Sequence, residues 1–224
     1  MDLKLIAWGL RRRSPLPRLW LFTDAARLPD PRASVAGLPR GRAGVILRHD
    51  HHPERAALGR DLARICRARR LLLVVAGDAR LAAALKAGVH LRGGRWPGLV
   101  RPNGLTTSSA HSVADLCRTR RAGANLVFLS PAFPTASHAG APGLGPLRWA
   151  AMAGRSGGST PIAALGGVDG TAVKRLPSRW LRAVGAIGAL SADDRPGPGP
   201  ARTAATDRKH VPAWMDGTPD RLDT

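Results

Sequence analysis

A single (β/α)8 barrel is the fold this sequence predicts, and its rhythm of apolar and amphipathic segments is what predicts it. Eight short apolar runs recur along residues 19–190: Leu19–Phe22, Val45–Leu47, Leu71–Val75, Val89–Leu91, Leu105–Thr107, Leu126–Leu129, Ile162–Leu165 and Ala183–Ile187. Between most of them lie stretches with helical periodicity, namely Arg55–Arg69, Ala79–Ala87, Ser112–Ala122 and Leu147–Gly154. Strands alternating with helices argue for parallel βα units. Eight such units fit a closed barrel better than an open sheet. A chain of 224 residues is short for that fold, so most loops must be lean.

The flanks read differently. Residues 1–18 are expected to form an N-terminal extension or short capping strand at the barrel bottom. Residues 191–224, "SADDRPGPGPARTAATDRKHVPAWMDGTPDRLDT", are rich in Pro, Gly and charge, with Trp214 the one large aromatic. Such a composition cannot bury enough apolar surface to offset chain entropy, so a disordered tail is expected there.

Composition narrows the function. The net charge of +20 raises the question of a polyanionic partner. All but four of the 35 basic residues are arginines, however, dispersed as in "RAALGRDLARICRARR" like those of a solvated helix face. Aromatic residues do not interleave with them as a base-stacking platform requires, so nucleic acid is not the expected partner. No apolar run is long enough to span a membrane. The first apolar patch precedes Arg11–Arg13, the reverse of a secretory signal, and a cytoplasmic protein is expected. Cys66 and Cys117 fall in predicted helices without metal or disulfide spacing, and both read as buried thiols.

The chemistry belongs at the carboxyl ends of the strands, with a phosphate site after strands seven and eight. After strand seven comes "AALGGVDG", where Gly166 and Gly167 let a ligand approach the backbone; after strand eight, Gly188 precedes a helical turn. Backbone N–H groups in such loops bind phosphate. The loop after strand six, within "LVFLSPAFPTASHAGAPGLGPL", brings Thr135, Ser137 and His138 to the same rim with hydroxyl and imidazole donors. "TTSSAHS" after strand five adds Ser108, Ser109 and His111; His111 is a candidate general acid–base, while Ser109 or Ser112 can instead cap a helix. Arg48 in "VILRHDHH" can clamp a phosphate or pyrophosphate. The adjacent His49, Asp50, His51 and His52 invite a metal reading, but neighbours on a strand end point in opposite directions, so only a subset could share an ion.

These motifs together resemble the thiamine phosphate synthase family and its TenI thiazole tautomerase relatives. "LWLFTDAARLPDP" resembles the family's opening strand, and "GVHL" at 88–91 matches its Gly-Val-His-Leu. "SAHS" at 109–112 is similar to Ser-x-His-Ser, "GANLVFLSPAFPTASH" to the strand-six motif ending Thr-x-Thr-Lys, and "PIAALGG" to Pro-x-x-Ala-Ile-Gly-Gly. The resemblance implies coupling of hydroxymethylpyrimidine pyrophosphate with thiazole phosphate, releasing pyrophosphate, with Mg²⁺ as cofactor. It implies pyrophosphate binding by Arg48, a catalytic-site role for Ser109, hydroxyl contacts from Thr135 and Ser137, and a phosphate loop at Gly166 and Gly167.

Most of the departures lie on the pyrophosphate side. The family's Gln-x-Arg-x-Lys reads Ile46-Leu47-Arg48-His49-Asp50, and its Asn-Asp-Arg reads Ala76-Gly77-Asp78, where Asp78 can slide into the carboxylate's place. The carboxylate after Gly-Val-His-Leu falls near Arg95, and the terminal Lys of the strand-six motif is His138. Arg95 can neutralise pyrophosphate but cannot hold a metal; Asp50 and Asp78 remain as carboxylates for Mg²⁺. Three readings follow: a divergent synthase, a TenI-like tautomerase needing no metal and using His111, and an inactive barrel that binds a phosphate metabolite or polyanion. Phosphorylated small molecules are the expected partners of the first two.

Overall fold

The computed structural model describes residues 1–135, 142–156 and 160–192. Eight parallel strands close into a barrel in sequence order: β1 (Leu19–Phe22), β2 (Ala43–Leu47), β3 (Leu72–Ala76), β4 (Gly88–Arg92), β5 (Thr106–Ala110), β6 (Leu126–Leu129), β7 (Ile162–Leu165) and β8 (Leu181–Ala186). β8 returns to β1 with Leu19 beside Val184, which completes the ring. Apart from β5, the strands are nearly continuous apolar runs because helices cover one face and the barrel interior the other.

Alternation sends every second residue inward. Trp20 and Phe22 fill the interior, where Phe22 meets His90 and Phe128 edge-on at 5.6 and 4.8 Å between ring centres. That plug explains two interior glycines. A Cβ at Gly44 would collide with the Trp20 ring, and one at Gly185 would come within 2.6 Å of Phe22.

The predicted helices form as α3 (Arg55–Arg69), α4 (Ala79–Leu85), α5 (Val113–Arg121) and α6 (Gly145–Gly154). Asp78 caps α4 and Ser112 caps α5 through side-chain oxygens that accept backbone N–H groups. α2 (Arg32–Gly37) was not expected; at six residues it is too short to show a hydrophobic period.

The N-terminal extension is a helix, α1 (Leu3–Leu10), rather than a capping strand. Asp2 lies beside the loops that follow β7 and β8: its N–H donates to Ala189 O at 2.7 Å, and its carboxylate accepts from Gly170 N at 2.7 Å. At the other end of α1, Gly9 sits so close to Leu19 that a Cβ would collide with that side chain. α1 therefore runs down the outside of the barrel from its top to its bottom. After β7 and β8 the described chain makes only 3-10 turns, Ala172–Arg175 and Gly188–Leu190. α1 buries Leu5 and Gly9 on its inner face.

Two further expectations change. Ser108 and Ser109 lie within β5, not in the loop after it. Their hydroxyls accept the Gly94 and Gly93 N–H groups at 3.0 and 3.4 Å, which satisfies polar groups that would otherwise disfavour extending the strand. Cys66 is buried as expected, but Cys117 is exposed, because it falls on the outward face of α5. Of the tail, Ser191 and Ala192 are described: Ser191 is buried, and Ala192 N donates to Ser34 Oγ at 2.8 Å. The remainder lies outside the described residues.

Candidate active site

The interior plug is the floor of the candidate site. His90 is buried between Phe22 and Phe128, and its Nδ1 pairs with Thr107 Oγ1 at 2.8 Å. Burial, together with the nearby Arg48 and Arg92 guanidiniums, pushes its pKa down to about 3, so the ring is neutral. One inward step further along each strand stands the polar layer. Arg48 follows Ile46 by two residues, Arg92 follows His90, Ser109 follows Thr107 and Ser130 follows Phe128. Arg92 and Ser109 are register partners, as are Ser109 and Phe128.

Three arginines gather on the β1–β4 side. Arg92 Nη2 is 2.5 Å from Asp50 Oδ2. Arg55, the first residue of α3, reaches Asp50 and Asp78, each at 3.5 Å, and donates to Ala76 O at 2.5 Å. Arg48 stands 3.9 Å from Asp24 Oδ2, a carboxylate that Arg27 holds at 3.2 Å. Burial alone would raise the Asp24 pKa, but the bonds from Arg27 outweigh it and hold it low. The arginine side chains differ in access: Arg55 is 14% exposed, Arg48 39% and Arg92 60%. Arg55 is therefore a strut, and Arg48 and Arg92 face the mouth.

The histidine cluster after β2 does not converge. His49 is buried with its two ring nitrogens engaged by Thr23 Oγ1 at 2.9 Å and Pro29 O at 3.2 Å, and burial lowers its pKa. His52 Nδ1 accepts the Glu54 N–H at 3.2 Å, and His51 is exposed. Among the described residues, no group of three or more His, Cys, Asp or Glu side chains is placed to hold a metal. Asp50 and Asp78 do not fit Mg²⁺ either. One Asp50 oxygen is bonded to Arg92; the other, buried and without a hydrogen bond, lies 3.5 Å from Arg55. A divalent ion there would displace or oppose two guanidiniums at short range.

Across the mouth, the loop after β7 is tied to the loop after β6. Ala132 N donates to Leu165 O at 2.8 Å and Phe133 N to Gly166 O at 3.0 Å. Gly166 and Gly167 have φ of 89° and 63°, and a Cβ on Gly167 would collide with the Pro134 carbonyl oxygen. Gly188 opens the turn after β8 with space around its Cα. In the β6 loop Thr135 is described, while residues 136–141, with Ser137 and His138, lie outside the described residues. His111 is exposed at the end of β5, its Nδ1 3.1 Å from Ser130 O and 3.3 Å from Ser130 Oγ. Arg95 lies exposed in the turn after β4, bridged through its backbone to Arg92.

Sequence reasoning missed Arg55, Arg92 and Ser130. The signal for Arg92 was its parity with His90 in "GVHLR", masked by the abundance of arginine everywhere. Arg55 looked like one more residue on a solvated helix. A cavity of about 340 Å³ opens at the opposite end of the barrel, beside Arg12, Arg42 and Arg70, which precede or flank strand starts. Barrel active sites lie at the other end.

The family model described as thiamine monophosphate synthase matches residues 30–190. A thiamine-phosphate synthase from Parasynechococcus marenigrum (strain WH8102) is 32% identical over 151 residues, which cover 64% of this chain and 42% of that protein. The chain thus spans less than half the length of that curated relative. Among solved structures, thiamine phosphate pyrophosphorylase from Pyrococcus furiosus superposes with a TM-score of 0.64 at 21% identity, covering 79% of this chain and 89% of that one. FabK from Thermotoga maritima shares the barrel at a TM-score of 0.57 and 14% identity, over 78% of this chain and 58% of that one. The two superpositions speak for the fold, whereas the match over 30–190 speaks for descent: this chain belongs to the thiamine monophosphate synthase family.

Proposed function

We propose that the chain is a divergent thiamine phosphate synthase, a transferase of thiamine biosynthesis. It would couple hydroxymethylpyrimidine pyrophosphate with thiazole phosphate. The bond from the pyrimidine methylene carbon to the pyrophosphate oxygen breaks, with the electron pair leaving on pyrophosphate. The thiazole ring nitrogen then bonds to that carbon.

One observation carries the reading: the cationic and glycine-rich halves of the site face each other. In a closed eight-stranded ring, the Arg48 and Arg92 side on β2 and β4 lies opposite the Gly166–Gly167 loop after β7. Leaving pyrophosphate and incoming thiazole phosphate would thus be held on opposite sides of the reacting carbon, the arrangement a displacement needs. Arg48 would bind the pyrophosphate, and Ser109 and Thr135 would orient the pyrimidine and the thiazole phosphate. Ser137, His138 and Gly188 complete the phosphate side in this reading. Ile46, in place of the family's Gln, is buried and offers the pyrimidine no hydrogen bond. Unpaired cysteines suit a reducing cytoplasm.

His111 supports a second reading, a TenI-like tautomerase. It is a rim imidazole, held by Ser130, on a site whose carboxylates are engaged by arginine. Incubation with both synthase substrates, followed by thiochrome fluorescence, tests the first. Thiamine phosphate formation is the expected result. Its absence, with conversion of a thiazole carboxylate phosphate isomer, would favour the tautomerase. Absence of both, with ligand binding retained, would leave a binding barrel.

A further inference from the structure

We propose that the Arg55–Asp50–Arg92 cluster is a built anion clamp that binds a pyrophosphate group without a divalent metal. The inference rests on the synthase reading of the site but names different residues and a different electrostatic solution from those of the family.

The argument begins with Asp50. It stands where the family has a Lys, so this chain has gained an acid beside its pyrophosphate side. That acid faces two guanidiniums, Arg92 at 2.5 Å and Arg55 at 3.5 Å. Asp78, the other carboxylate available to a metal, is committed twice: Oδ1 accepts the Leu81 N–H at 2.9 Å, and Oδ2 lies 3.5 Å from Arg55. The carboxylates therefore serve as anchors for arginine.

Orientation supplies the rest. Arg55 is fixed at three points, by Ala76 O, Asp50 and Asp78. Asp50, held by Arg55, in turn holds one Nη of Arg92, while the Arg92 side chain remains 60% exposed. Behind it, Gly77 has φ of 66°, and a Cβ there would come within 3.3 Å of Arg92 Nη2; the missing side chain leaves room for the guanidinium. The planar fork of Arg92 is thus preset, with N–H donors left over for a phosphate. Arg48 stands on the same inward parity one layer above His90. Arg48 and Arg92 face the mouth as oriented bidentate donors for an anion, in place of a metal ion.

The test is calorimetric titration of inorganic pyrophosphate into the full chain, once in EDTA and once in Mg²⁺, alongside titration of thiazole phosphate. Pyrophosphate affinity in EDTA is expected to be no more than about threefold weaker than in Mg²⁺. Arg92→Gln is expected to weaken pyrophosphate about tenfold or more and to leave thiazole phosphate unchanged. Asp50→Asn is expected to weaken pyrophosphate as well, since it frees Arg92, whereas a metal ligand's loss would matter only with Mg²⁺ present. Pyrophosphate binding seen only with Mg²⁺, or untouched by Arg92→Gln in a folded protein, would overturn the proposal. The two readings fail separately. Metal-free pyrophosphate binding without thiamine phosphate formation would sink the synthase and keep the clamp; strictly Mg²⁺-dependent synthesis and binding would do the reverse.

Discussion

His90 Nδ1 lies 2.8 Å from Thr107 Oγ1, across adjacent strands and directly beneath the two arginines of the mouth. The pair closes the floor with a ring that cannot afford a charge. Its pKa is pushed to about 3 in the folded protein, against about 6.5 when unfolded. The unfolded chain therefore binds more protons between those values, and stability falls as pH drops through that window.

Unfolding by urea at a series of pH values checks this. His90 alone is expected to remove about 2 kcal/mol between pH 7.5 and 5. His49, lowered by burial, adds to the same slope. His90→Gln keeps a partner for Thr107 and is expected to flatten the slope; an unchanged slope would mean that other groups carry it.

Asp2 ties α1 to the loops after β7 and β8. Burial works to raise its pKa, but the Gly170, Leu5 and Lys4 N–H groups outweigh this and hold it low. Asp2→Ala removes a helix cap and a charge-assisted bond together. A loss of about 1–3 kcal/mol is expected in a denaturant midpoint measurement near neutral pH, shrinking as the carboxylate titrates in acid.

Gly167 and Gly188 make a matched pair. Gly167→Ala must push the β7 loop off the Pro134 carbonyl at a positive φ, so it is expected to cost about 1–3 kcal/mol and to weaken thiazole phosphate binding. Gly188→Ala meets open space and is expected to stay within about 0.5 kcal/mol of the parent. Thermal melts read the first quantity and calorimetry the second.

Arg48→Ala is expected to lower kcat/KM for the pyrimidine pyrophosphate about tenfold or more, with little change in the KM for thiazole phosphate. Steady-state kinetics that show both KM values rising together would place Arg48 outside the pyrophosphate half.

The two thiols should separate cleanly. Burial pushes the Cys66 thiol up to about 12, whereas Cys117 is exposed. A disulfide reagent at neutral pH is expected to titrate one thiol in the native protein and the second only in denaturant.

Most of the strands were legible because they are short, largely apolar and largely buried runs, and that pattern survives in one dimension; β5, Thr-Thr-Ser-Ser-Ala, was the strand whose extent the pattern misjudged. The turn after β7 was legible too, since Gly166 and Gly167 announce a backbone conformation that other residues avoid. Sequence by itself thus determined the barrel and the order of its units. Tertiary structure decided the rest. α1 lies along the barrel side because Asp2 bonds to the loops after β7 and β8 and Gly9 packs on Leu19, long-range contacts that no local pattern contains. Asp50 and Asp78 read as metal ligands by residue type, yet folding brings Arg55 from α3 and Arg92 from β4 against them. Local periodicity specifies which residues face inward; whether Asp50 and Arg92, on either side of β3 in sequence, neutralise each other depends on strand order and register, which exist only once the ring has closed.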